Sequence, residues 1–451
     1  MVIRKRLIIW LIKAYLKKSG KSLVLSFFAG LVVFFLLVTL LRFIPWPFLT
    51  TKTKAIGISG TYTMPTLPSS ILQKIGFGLT VVRKDGIITP GLANSWEIKD
   101  GGKTYIFHLQ KNVKFHDGKK VESNDIQYGF SQVAVERPDK YTIIYKLKDP
   151  YAPFLVTVSE PVFRKGFIGT GSYKVKNIVL NGDFIKSMTI VSRQGPRIVE
   201  QYIFYTNQET LKLALLLGEI SQAQGLSDRS YKKIQFHTFP NSEVIQSTNY
   251  QKLVTLFYNT KDSFLSDKKA RNALSLSLPD SFAHGERVFV PFTPYYVYFD
   301  PIQQKKQDFQ HSKELLQTPD KNASGQARLT ISIKTLPKYA DTARKIATSW
   351  KNLAIETSIE EVDSVPPVFQ VYLGDIALPH DPDQYTIWHS DQGNNITNYK
   401  NLRVDKLLED GRKTTDLTKR KEIYKDFQKY LLEDSPAAFL YFPYEYQFIL
   451  K

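Results

Sequence analysis

The stretch from Leu329 to Glu361, LTISIKTLPKYADTARKIATSWKNLAIETSIEE, decides the fold class. Leu329 to Ile333 reads as a strand. Behind it, Tyr339, Ala343, Ile346, Ala347, Trp350 and Leu353 are spaced 4, 3, 1, 3 and 3 apart, as one face of a helix requires. Glu356 to Glu361 reads as a second strand. Strand, helix and strand in this order make a βαβ unit, so the sequence predicts an α/β protein with parallel strands joined by a right-handed crossover.

Working outward, residues 54 to 175 are mostly β. Thr104-Tyr105-Ile106-Phe107-His108-Leu109 has period-two character, Asp117-Gly118 marks a tight turn, and Ser123-Asn124-Asp125 opens a helix. Glu209 to Leu217 and Asp267 to Leu276 read as helices, and Val254 to Tyr258 as a buried strand. No internal repeat or low-complexity tract separates clean domains, a pattern that suits lobes built from discontinuous segments. At 451 residues the chain exceeds the needs of one ordinary core. Its 43% hydrophobic and 13% aromatic content is that of a folded protein rather than a disordered one.

The formal net charge of +19 raises the question of nucleic acid, but the charge is partly local. Residues 1 to 54 hold ten Lys and Arg and no Asp or Glu, leaving +9 for the remaining 397 residues. With no groove-reading or single-strand-binding motif, nucleic acid is not an expected partner. The chain has no cysteine, which excludes disulfides, thiolate metal sites, a cysteine nucleophile and a lipid-modified N-terminal cysteine.

Any membrane anchor must therefore be protein. Ser22 to Leu41 runs for 20 residues without a charge, enough to span a hydrocarbon core of about 30 Å as one helix. The apolar run is long for a cleavable signal and is followed by Arg42 and the rigid Ile44-Pro45-Trp46-Pro47-Phe48, so an uncleaved signal anchor is expected. The preceding cationic cluster sets the N-terminus in the cytoplasm and the body outside, with Trp46 at the far interface. Leu7 to Leu16 reads either as an amphipathic helix on anionic lipid or as a solvated basic tail.

The blocks Gly91-Leu-Ala-Asn-Ser-Trp-Glu-Ile, Lys103-Thr-Tyr-Ile-Phe-His-Leu and Val113-Lys-Phe-His-Asp-Gly resemble the signature of the family 5 extracellular solute-binding proteins, the oligopeptide-, dipeptide- and nickel-binding components of ABC importers. Further blocks follow in the family's order: Gly169-Thr-Gly-Ser-Tyr-Lys-Val, Ala214-Leu-Leu-Leu-Gly-Glu-Ile, Lys269-Ala-Arg-Asn-Ala-Leu-Ser-Leu, Asp381-Pro-Asp, and Val404-Asp-Lys-Leu-Leu through Ser435-Pro-Ala. The match covers roughly residues 80 to 446. It implies a two-lobed type-2 periplasmic-binding-protein fold (cluster C) with hinge strands, preceded here by one transmembrane helix.

On that pattern residues 1–21 form a basic cytoplasmic segment, 22–41 the anchor, 42–54 a linker, 55–251 lobe one, 252–260 a first crossing, 261–437 lobe two, and 438–451 the second crossing and C-terminus. The implied partners are a peptide or peptide-like solute, the membrane permease subunits of an ABC transporter and the lipid bilayer. The chain is short for the family, with only a brief linker between Phe130 and Tyr141. A related lobe pair acting as a membrane-anchored sensor or surface protein without transport therefore stays open.

Trp96, Tyr105 and Phe107 are expected in the core, His116-Asp117-Gly118 in a turn, and Gly169 and Gly171 where positive φ allows a sharp turn into a strand. His380, Asp381, Asp383 and His389 could ligate a divalent metal, and Asp381 with Asp383 could do acid and base work, but the spacing matches no recognised zinc motif. Neither a Gly-x-Ser-x-Gly elbow nor a His-Glu-x-x-His pair is present, so neither an enzyme nor a cofactor is expected. The resemblance instead makes Asp381-Pro382-Asp383 a loop at the cleft. Family peptide binders carry Gly-Trp-x-Ala-Asp-x-x-Asp-Pro-Asp, whose first Asp pairs with the peptide's α-ammonium. Here the stretch is Gly374-Asp-Ile-Ala-Leu-Pro-His-Asp-Pro-Asp383, which puts Leu378 in the place of that carboxylate and Asp375 in the place of the Trp. The candidate ligand residues are Asp375, Leu378, Asp381, Asp383, Tyr385 and Trp388. Either Asp375 substitutes as anchor, or the ligand is N-blocked, internal to a longer chain, or not a peptide, with Tyr385 and Trp388 as apolar contacts.

Overall fold

A computed structural model describes residues 5–43, 52–83, 85–296, 306–316 and 329–450. The unit that decided the fold class forms: the strands Thr330–Thr335 and Glu356–Glu361 pair in parallel, Thr330 opposite Glu356, with the helix Ala340–Lys351 between them in sequence. Ala343, Ile346 and Trp350, the periodic positions, are fully buried. The Trp350 indole donates to the Leu274 carbonyl at 3.2 Å, so its one polar atom is satisfied inside the core.

These strands begin a 12-stranded sheet that continues through Val371–Ala377, Lys252–Tyr258 and Ala437–Leu450 to Gln222–Leu226 and beyond. Ala437–Leu450 serves two neighbourhoods. Its first residues pair with Lys252–Tyr258, Ala437 opposite Phe257, whereas Tyr444 to Leu450 pair with Ser242–Thr248. Because side chains alternate along a strand, Phe439 enters one hydrophobic cluster, with Trp388 and Phe427, while Ala438 and Leu440 enter another, with Ile333 and Trp350. A separate four-stranded sheet, Ala93–Lys99, Thr104–Leu109, Thr142–Leu147 and Val133–Asp139, packs Tyr105, Phe107 and Tyr145 against Phe154.

Several local expectations are corrected. Ser123–Asp125 is a single 3-10 turn and no helix follows, since the chain reaches positive φ at Gly129 and Gln132 and enters the strand Val133–Asp139. That strand lies where a mere linker was expected, and it pairs with Thr142–Leu147. Gly169 and Gly171 do not have positive φ. Their need for glycine is close approach, because a Cβ would strike the backbone carbonyls of Ile75 and Lys74 respectively.

The N-terminal residues form one unit and most of the remaining chain another. Taken by itself, the first is dominated by a continuous helix, Lys5–Phe43, so Leu7 to Leu16 is helical and runs without interruption into the apolar stretch. Lys17–Thr39 is long and apolar enough to cross a membrane and is not buried in protein. The Ile44 to Phe48 stretch lies outside the described residues.

Candidate functional site

The strand Val371–Ala377 ends where Leu378 N–H donates to the Gln251 carbonyl at 2.8 Å, and the loop Pro379 to Asp383 begins. Internal bonds fix this loop. The Tyr296 hydroxyl donates to the Pro379 carbonyl, Asp381 Oδ1 accepts from Asp383 N–H at 2.9 Å, and Asp383 Oδ1 accepts from Tyr385 N–H at 3.1 Å. Two arginines complete it. Arg420 grips Asp381 through two bonds of 2.5 and 2.8 Å, and Arg412 Nε donates to Asp383 Oδ2 at 2.8 Å. A carboxylate engaged this way is a structural pillar, because its lone pairs are occupied by charge-assisted bonds.

Residues of this loop line two cavities, of about 380 and 430 Å³, that share Gly86, Tyr296 and His380. The first is chiefly apolar: Ile88, Trp96, Ile98 and Leu155 come from the N-terminal half of the chain, and Asp381 and Leu417 from the C-terminal half. The second offers neutral polar groups, among them Gln73, Ser247, Thr248, Asn249, Gln251 and Thr293. Close contacts bring these chain halves together beside the first cavity: Ala152 N–H donates to the Arg412 carbonyl at 2.7 Å, and the Arg412 guanidinium lies 5.5 Å from the Tyr151 ring.

His380 stands at the waist, with Gln251 Nε2 at 2.9 Å from its Nε2. Desolvation by the surrounding protein lowers its pKa, against the opposing influence of Glu160. Although its side chain remains accessible at the cavity surface, the neutral ring is the favoured form near pH 7.

The sequence-derived candidates divide. Asp381 lines the first cavity and Leu378 the second. Asp375 lines neither: its carboxylate accepts from Lys338 Nζ at 2.8 Å and from the Tyr339 hydroxyl at 2.9 Å. Asp383 is tied to Arg412. Tyr385 stacks on His389, ring centroids 4.2 Å apart, with the Arg412 guanidinium 4.2 Å from its own ring. Trp388 is a core residue, 1% exposed, whose indole donates to Gln384 Oε1 at 2.8 Å. Its burial takes it away from the ligand-stacking position assigned from the sequence.

Trp96 and Tyr296 line the cavities without having been among the sequence-derived candidates, and His380, considered there only as a metal ligand, lines both. Trp96 was placed in the core, yet it stands on the outer strand of the four-stranded sheet, packing against the core while also lining the cavity. Among the described residues, no group of three or more His, Asp or Glu is arranged to hold a metal ion.

Comparison with known proteins agrees with this architecture. The profile described as bacterial extracellular solute-binding proteins, family 5 Middle, matches residues 88–397. The oligopeptide-binding protein AppA of Bacillus subtilis is 23% identical over 431 residues, with 78% of each chain covered. The ABC transporter substrate-binding protein CtaP of Listeria monocytogenes superimposes with a TM-score of 0.72 at 19% identity, covering 89% of this chain and 94% of that one. NikZ of Campylobacter jejuni, in complex with Ni(L-His), gives a TM-score of 0.70 at 21% identity over 88% and 94%. The fold is thus the two-lobed α/β architecture of periplasmic binding proteins. With its profile match spanning well over half the sequence, the chain belongs to the family 5 bacterial extracellular solute-binding proteins.

Proposed function

We propose that this protein is the extracytoplasmic substrate-binding subunit of an ABC importer, taking peptides or peptide-like solutes into the paired cavities as an interlobe cleft. It binds without catalysing a reaction. The Lys17–Thr39 segment would serve as a single-pass anchor with the N-terminus cytoplasmic, keeping the binding body beside its permease. The observation that carries the reading is the join, through Tyr296 and His380, of an apolar cavity to one rich in neutral hydrogen-bonding groups and lined also by Arg83 and Glu445. An extended chain of amides needs donors and acceptors along its backbone and apolar room for side chains, and these two halves supply them.

The charges of the lining refine the ligand class. Among the described lining residues the carboxylates are Asp381, held by Arg420, and Glu445, which accepts from Asn249 Nδ2 at 2.6 Å. Leu378 stands where a carboxylate would meet a peptide's ammonium. The favoured ligand is therefore peptide-like without a free amine anchor. Calorimetry with peptide pools on the full chain in lipid nanodiscs tests this: saturable binding, weakened about tenfold or more by Trp96→Ala, is expected. Absence of any saturable ligand would favour the surface or sensor reading instead.

A further inference from the structure

Away from these two cavities, the C-terminal half carries a third, partly open to solvent, of about 330 Å³. Leu276, Leu278, Phe289, Leu432 and Phe439 give it apolar walls, and Arg287 is set among them. Arg287 ends the short strand Gly285–Arg287, where it pairs with Tyr441 of the long strand Ala437–Leu450. Its guanidinium lies 3.9 Å from the Phe289 ring and 5.5 Å from the Phe282 ring.

The bonding of this guanidinium is incomplete. Nε donates to the Pro279 carbonyl at 3.2 Å, and Nη1 serves the carbonyls of Val288, Phe439 and Leu440 at 2.5, 2.5 and 2.8 Å. Nη2 makes no hydrogen bond, and no carboxylate lies within ion-pair distance of Arg287, among the described residues. Asp280 acts on it only at longer range, and Asp280 Oδ1 accepts from Gln307 N–H at 2.7 Å. Desolvation lowers the guanidinium pKa to about 9, against the longer-range influence of Asp280. Carbonyl dipoles solvate part of the charge but do not cancel it. At the lining, Lys429 and Glu433 carry opposite charges, leaving Arg287 as the net charge of the cavity.

We infer that this cavity is a second ligand site, separate from the cleft, for a small apolar molecule bearing one carboxylate. The carboxylate would accept a charge-assisted hydrogen bond from Nη2 of Arg287, the one guanidinium nitrogen not given to a carbonyl, and the apolar body would cover the leucine and phenylalanine wall. A volume of about 330 Å³ lies at the low end for ligand cavities, so the occupant is small.

The test uses the full chain in lipid nanodiscs and 4-(4-fluorophenyl)butanoate, followed by fluorine NMR against empty nanodiscs, with the corresponding butanamide as the uncharged control. Saturable binding of the carboxylate is expected, at least about tenfold tighter than the amide. The binding should be lost in Arg287→Met and in Leu276→Trp, which fills the cavity while leaving the guanidinium. Binding no better than to empty nanodiscs, or equal affinity for acid and amide, overturns the site. So does undiminished binding in a folded Leu276→Trp protein, which decides the matter even if Arg287→Met does not fold. An Arg287→Met protein that is less stable yet binds as before assigns the arginine a purely structural role and also overturns it.

Discussion

The carboxylate of Asp381 is clasped by both terminal nitrogens of Arg420, at 2.5 and 2.8 Å, with only 10% and 5% of the two side chains exposed. Arg420 also donates through Nε to the Gly411 carbonyl at 2.8 Å, so this pair ties the loop at the cavities to the helices Leu402–Lys413 and Leu417–Asp434. Removing one partner strands a buried charge. Asp381→Ala should lower unfolding free energy by about 3 to 5 kcal/mol, whereas the double change Asp381→Leu with Arg420→Met should recover most of it. Denaturant titration of the three proteins measures both effects. A stable Asp381→Ala protein that has lost only ligand affinity would show that Asp381 is a binding group.

Asp375 and Leu378 decide the second prediction. Asp375 is engaged by Lys338 and Tyr339, and if Leu378 takes the place of the ammonium-pairing carboxylate, as the family resemblance implies, a free amine gains little at the proposed site. N-acetylation of a bound peptide should change its affinity by less than about tenfold, or about 1.4 kcal/mol. Calorimetry on matched free and acetylated peptides provides the comparison. A much larger loss would reveal an amine anchor, and Glu445→Gln would then show whether Glu445 supplies it.

Acid stability should depend on Glu200. Burial alone would raise this carboxyl, but bonds from Lys74 Nζ and the Tyr202 hydroxyl, each 2.7 Å, outweigh it and hold the pKa below the usual value. A carboxyl depressed in the folded state binds its proton more readily when unfolded. Its contribution is therefore complete above the unfolded pKa, near 4.5, and is lost as pH falls through the lower folded value. Glu200→Gln should cost about 1.5 to 3 kcal/mol at pH 7, with the gap to the parent protein closing below pH 4. Melting curves across that range provide the check; a gap independent of pH would assign the loss to packing.

Topology can be tested directly. If Lys17–Thr39 spans the membrane with the N-terminus inside, protease added to intact spheroplasts should remove the body and leave a small protected fragment. Complete protection of the body would contradict an extracytoplasmic location.

The sequence by itself determined the βαβ unit, because the spacing of Tyr339, Ala343, Ile346 and Trp350 admits one buried helical face between two strand-like segments. It also determined the family, since collinear blocks carry the order of elements. It supplied the expectation, from the family resemblance, that Leu378 stands in the place of a carboxylate. What those residues face was decided only by tertiary structure. Asp375 is as acidic in the sequence as Asp381, but its strand turns it toward Lys338 and Tyr339, while the following loop brings Asp381 onto Arg420, 39 residues away. Trp388 looked available for stacking and is enclosed; Trp96 looked like core and lines a cavity. A cavity wall is assembled from residues far apart in the chain, here Trp96, Tyr296, His380 and Leu417, and no local periodicity records which of them will meet across a space.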